Sequence, residues 1–243
     1  MKRGDVHPMR LAVFVVILGV SLFFWESAVL APFKLLSVMG HETGHAVAAK
    51  LVGGAVNRVT VRPNESGECL SAIPPSFMAK VAVYSAGYVG SAIIAVVLLA
   101  LTFRFNARRG VLRAAAVWLA VMAFLFGRDL FTLGFCLGMS ALFVAAARWL
   151  PEELVAPLNL FLASFTALYA VMDVRDDLWS HQVRSLSDAQ LLADVTQIPA
   201  VVWALCWTLV SAAIVFAGAL FALRGPKGSG LLRTRSQTSM SAQ

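Results

Sequence analysis

Charge is scarce in this 243-residue sequence: Asp, Glu, Lys and Arg make up only 14% of it, against about a quarter of a soluble domain. Cysteine is scarcer still, with three residues and no C-x-x-C pair, which excludes both a disulfide framework and a thiolate zinc site. Cys136 and Cys206 lie inside apolar runs as small packing residues, and Cys69 stands alone in a polar loop. There are only four histidines, yet two of them fall within five residues of each other. A net charge of +7 does not mean nucleic acid, because the basic residues line no single face. They cluster at the edges of apolar runs: Lys2, Arg3 and Arg10, then Arg104 to Arg113, then Arg224 to Arg235. That is how cations flank membrane helices.

What is abundant is apolar. Hydrophobic residues are 59% of the chain and the mean hydropathy is +0.78. Apolar segments run over 11–32, 35–53, 79–103, 111–127, 130–150, 154–173 and 199–223. Lipid offers the backbone no hydrogen-bond partner, so all of these are expected to be helical. The first is too long for a signal-peptide core and is read as a retained span. The N-terminus, the 104–113 loop and the C-terminus are all basic, which fits one side of the membrane if six helices cross and the 35–53 helix does not cross completely. The expectation is an all-α polytopic membrane protein of about six transmembrane helices, with a partly inserted histidine helix and a short β-ribbon. A single membrane-embedded domain covers 1–224, and 225–243 reads as a disordered basic tail.

Two polar stretches interrupt the helices. The first, 54–78, follows the helix stop Gly53-Gly54. In it Val59 and Val61 alternate with polar residues, and a Pro63–Gly67 turn cluster follows, which predicts the ribbon. In the second, Ser187-Asp188-Ala189-Gln190 fits a capping box opening a short helix, and Pro199 fits the start of the last span.

His41-Glu42-Thr43-Gly44-His45 is an H-E-x-x-H sequence. On a helix, residues four apart share a face, so His41 and His45 can hold one zinc ion (Zn2+), with Glu42 beside it as general base. Polar residues within an otherwise apolar helix are costly without a role. Gly44 is expected to let another membrane helix approach, and the small face Ser85, Ala86, Gly87, Gly90 and Ser91 and the Gly134–Gly138 pair are read the same way. Trp118, Trp203 and Trp207 read as packing or interface anchors.

HETGHAVAAKLVGG, the ribbon, SAGYVGSA at 85–92, YAVMDVRDDL and SLSDAQLLADVTQIPAVVWALCW together resemble the M50 family of site-2-type intramembrane metalloproteases, in particular its M50B-like branch of bacterial membrane proteins. The resemblance covers roughly 35–210. It implies cleavage of a membrane-embedded or membrane-adjacent protein in a bacterial cytoplasmic (inner) membrane, with His41 and His45 on zinc and Glu42 as catalytic base.

A catalytic zinc takes a third protein ligand. Site-2 proteases supply it from an L-D-G sequence, which this chain lacks. Asp173, closing the 154–173 run, is the nearest counterpart and the first candidate; Asp188, within the SDA stretch, is the alternative. Asp176, Asp177 and His181 lie nearby. Glu26, inside the first apolar run, is expected to pair with Lys34 or to be protonated, and Asp129 to pair with Arg128. Asn159 is read either as a contact to substrate backbone or as an interhelical hydrogen bond. The ribbon, over 56–62, could extend a substrate by adding a strand to it or only plug the bundle. Two competing readings use the same residues: a catalytically inactive, metal-binding membrane scaffold, and a transporter with a histidine site.

Overall fold

The computed structural model describes residues 6–179 and 187–224, without the side chains of 176–179. Expectations for Asp176, Asp177, His181 and the 225–243 tail lie outside these residues. Eight helices and one ribbon follow in order: α1 (Pro8–Phe23), α2 (Ala31–Leu51), β1 (Ala55–Val61), β2 (Gly67–Ala72), α3 (Phe77–Leu99), α4 (Arg108–Phe126), α5 (Leu130–Trp149), α6 (Glu152–Trp179), α7 (Asp188–Thr196) and α8 (Ala200–Leu223). Five are long and apolar enough to cross a membrane: α3 with its π-helical extension to Arg104, α4, α5, α6 up to Arg175, and α8. The chain is an all-α membrane protein with an antiparallel two-stranded ribbon.

The first apolar run departs from expectation. It is not one span: α1 ends after 16 residues, and the chain turns through 24–30 before α2 begins. The break has a local cause. Trp25 turns inward, stacks on Phe165 at 5.6 Å and receives the Lys34 ammonium 4.9 Å over its ring. Ser27 then caps a short 3₁₀ turn by accepting from the Val29 N–H. Glu26, expected in the bilayer, is instead 84% exposed in that turn, 3.7 Å from Arg175, while Lys34 pairs with Glu65 at 2.8 Å.

α2 ends as its sequence predicts. Gly53 adopts a positive φ of 83°, its N–H donates to Lys50 C=O, and that of Gly54 donates to Ala49 C=O. The ribbon follows at once, with a bulge between Val56 and Arg58. Val59, Thr60 and Val61 are buried against the bundle. The outer edge of β1 is closed at Val61: its N–H donates to Thr132 Oγ1 at 3.0 Å, and that hydroxyl donates to Val61 C=O at 3.2 Å.

α3 and α6 are the most buried spans, and α5 and α8 the least. α2 packs on α3, α6 and the ribbon. Trp118 of α4 donates its indole N–H to Thr43 Oγ1 at 3.1 Å, which fastens α4 to the HETGH turn. Ser187 caps α7 by accepting from the Gln190 N–H. The Gln190 side-chain amide donates to Asp194 Oδ1 at 2.8 Å.

Candidate metal site

On α2, His41 and His45 share one face and both are buried. Space for them comes from glycine. A Cβ at Gly87 would overlap the His41 imidazole, and one at Gly44 would strike the Ala86 carbonyl. Gly44 and Gly90 therefore bring α2 and α3 into backbone contact, as expected of small residues. Gly87 does something more specific, leaving the volume that one histidine ring fills. Tyr88 closes the side of the site, with its ring edge-to-face to His41 at 4.8 Å and stacked on Trp207 at 4.6 Å. Gly134 and Gly138 differ: nothing approaches their Cβ positions, so they make no tight helix contact among the described residues.

Each imidazole is held from both sides. His41 Nε2 lies 3.2 Å from Asp188 Oδ2, and His45 Nε2 lies 2.9 Å from the same oxygen. On the far side, His45 Nδ1 is 2.7 Å from the Val83 carbonyl oxygen. His41 Nδ1 is 2.9 Å from Asp173 Oδ2, an ion-pair contact in which the N–H does not point squarely at the oxygen. The other oxygen of Asp173 accepts from the Tyr169 hydroxyl at 2.9 Å. A carbonyl can only accept, so His45 carries its proton on Nδ1, and the Asp173 contact favours the same tautomer for His41. With a cation bound between them, both Nε2 lone pairs would face it beside Asp188.

Both aspartates proposed from the sequence thus reach the histidines, from opposite sides. Asp173, the first candidate for third ligand, sits behind His41 on the nitrogen turned away from the cluster. Asp188 joins the imidazoles, and His41, His45 and Asp188 each offer one donor atom within 4.8 Å of the other two. The reason is local. α6 carries Asp173 to the back of the His41 ring, whereas Asp188 opens α7, whose Ala189 and Leu192 pack with Tyr88 and Trp207. Burial alone would raise the Asp188 carboxyl; with the imidazoles protonated, charge and hydrogen bonds from His45 and His41 outweigh it and hold the group well below the usual carboxylate range, and a bound cation would take the place of those Nε2 protons.

Glu42 is buried, with its carboxylate against the start of β2, where a Cβ at Gly67 would overlap Glu42 Oε1. Asn159 is buried and donates to the Arg108 carbonyl at 2.9 Å, the interhelical alternative. Asp129 caps α5 by accepting from the Thr132 N–H, and Arg128 donates to the carbonyls of Gly127 and Leu125; the expected Asp129–Arg128 pair does not form. Tyr88, Val83, Tyr169 and Gly67 were not foreseen as parts of the site. Tyr169 had a signal, since it stands one helical turn before Asp173.

The donor set suits zinc: two neutral imidazoles and one carboxylate, each histidine anchored through its second nitrogen. A family model described as peptidase M50B-like matches residues 13–218. No curated protein and no solved structure shows significant similarity to the chain.

Proposed function

The chain belongs to the peptidase M50B-like family, a site-2 protease-like group of metallopeptidases, and from that premise we propose that it is an intramembrane zinc metalloprotease. It would hydrolyse a peptide bond in or next to a membrane-spanning segment of a protein substrate, with His41, His45 and Asp188 holding the metal and Glu42 as general base. One observation carries this reading: both Nε2 atoms face a single Asp188 oxygen while both Nδ1 atoms are engaged from behind.

Zinc held there by His41, His45 and Asp188 would supply Lewis acidity for activating water and polarising the scissile carbonyl. The side chains do the rest. Glu42 takes a proton from the attacking water, holds it on its carboxylate in a site shielded from bulk solvent, and returns it to the departing amine nitrogen. Water is thereby split between the new carboxylate and the new amine, and Glu42 ends as it began. Asp173 is a positioning residue, keeping the His41 ring oriented and its Nδ1 protonated. A helical substrate must be extended before attack. Thr132 closes the β1 edge at Val61, so β2 is the better candidate to take an added strand, and its first residue, Gly67, lies against Glu42.

The test compares purified full-length wild type with Glu42→Gln, measuring bound zinc and cleavage of a membrane-peptide substrate. Glu42→Gln should keep its zinc and lose cleavage by about 10²-fold or more. Unchanged cleavage overturns the enzyme reading. Zinc in both chains with cleavage in neither favours the inactive metal-binding scaffold.

A further inference from the structure

α4 and α5 form an antiparallel hairpin with an open cleft between them. Its volume is about 680 Å³, and Arg109, Arg113 and Arg148 stand around it. Among the described residues that line it there is no carboxylate. The three arginines are not equivalent. Arg109 is committed: Nε donates to Glu152 Oε2 at 2.9 Å, and its two terminal nitrogens donate to the carbonyls of Ala147 and Leu150 at 2.7 and 2.8 Å. It ties the start of α4 to the end of α5 and fixes the width of the cleft. Ser140 does the same deeper in, donating to the Ala116 carbonyl at 2.8 Å. Arg113 and Arg148 are exposed and have no ion-pair or hydrogen-bond partner among the described residues.

Below the guanidinium groups the walls turn apolar and small, with Ala116, Ala120 and Val144. Val117, beside them, is 63% exposed, and Leu142 on the same helix as Val144 is 62% exposed. In a membrane-spanning hairpin these surfaces face lipid tails. A fixed trough with two unpaired guanidiniums at its mouth and an aliphatic floor matches a ligand that is anionic at one end and hydrocarbon at the other. Arginine pairs with phosphate through parallel hydrogen bonds, and basic pockets between membrane helices select anionic headgroups. Free phosphate would leave the apolar floor without a partner, and a zwitterionic lipid would leave the cationic excess uncompensated.

We propose that the α4–α5 cleft is a binding site for one anionic phospholipid, its phosphate held by Arg113 and Arg148 and an acyl chain lying along Ala116, Ala120 and Val144. The site is separate from the histidine cluster, so the inference does not depend on catalysis.

The test is native mass spectrometry of the full-length protein, delipidated in detergent and titrated with phosphatidylglycerol or with phosphatidylcholine of the same chain length. One phosphatidylglycerol should be retained with roughly tenfold or greater preference. Millimolar inorganic phosphate should not displace it, which separates a lipid site from a simple anion site. Arg113→Gln/Arg148→Gln should abolish the preference, whereas Arg113→Lys/Arg148→Lys, the control for folding, should retain most of it. Equal retention of the two lipids, displacement by phosphate, or an undiminished preference in the Gln pair would each overturn the proposal.

Discussion

His41 Nε2 lies 3.2 Å from Asp188 Oδ2, although 147 residues of sequence separate them. The pair closes a loop of more than half of the chain, and everything proposed for the site turns on it.

The two aspartates at the site should behave differently. Asp188→Ala removes a donor and should abolish stoichiometric zinc binding. Asp173→Asn leaves the donors in place and should weaken zinc by about 10–100-fold, the usual effect of losing an outer-sphere partner. Zinc content after dialysis against graded chelator distinguishes the two. Retention of zinc by Asp188→Ala with loss in Asp173→Asn would reverse the assignment.

Gly87→Ala places a methyl group where the His41 ring sits. The ring or α3 must shift, at a cost of about 1–3 kcal/mol, and zinc should be lost or much weakened. Gly134→Ala on α5, where nothing approaches the Cβ position, should leave metal content unchanged. Zinc analysis and a thermal melt of both variants check this.

Much of this was legible in the sequence. HETGH puts two imidazoles on one helix face through spacing alone, the Gly53-Gly54 stop and the alternation at Val59 and Val61 give the helix end and the ribbon, and Ser187 declares the start of α7. What was not legible depends on three-dimensional placement. Asp173 and Asp188 are both acids near helix ends and both reach His41, and only the packing of α7 against Tyr88 and Trp207 brings Asp188 to the two Nε2 atoms. The break after Phe23 escaped because hydropathy counts Trp25 as apolar and does not register that its ring is wanted by Phe165. The Gly134–Gly138 pair has the spacing of a helix contact, but among the described residues nothing comes within reach of its Cβ positions.

Thr132→Val should expose how the ribbon is held. The hydroxyl serves both the N–H and the C=O of Val61, and Thr132 is fully buried. Its loss leaves two backbone groups short of a partner, at about 1–3 kcal/mol. Faster amide exchange at Val61 and a lower melting temperature are expected; an unchanged exchange rate would show the clamp to be dispensable.

Hydrogen bonds from Arg58 and then Arg62 hold the Glu68 carboxyl below its ordinary value of 4.5. A depressed folded pKa means that this contribution to ribbon stability is complete above about pH 4.5 and is lost as pH falls through the lower folded value. The groups are largely exposed, so the effect is small. Amide exchange in the ribbon should quicken on acidification, and Glu68→Gln should flatten that dependence; an identical pH profile in the variant would count against it.

The shortness of α1 bears on hydration. Sixteen helical residues extend about 24 Å, some 6 Å less than a typical hydrocarbon core. The exposed Glu26 carboxylate beyond its end pairs with Arg175, two positions after Asp173 on α6. In a bilayer such a pair would draw headgroups and water toward its own depth, and the proposed hydrolysis would then have water at hand near the histidine cluster.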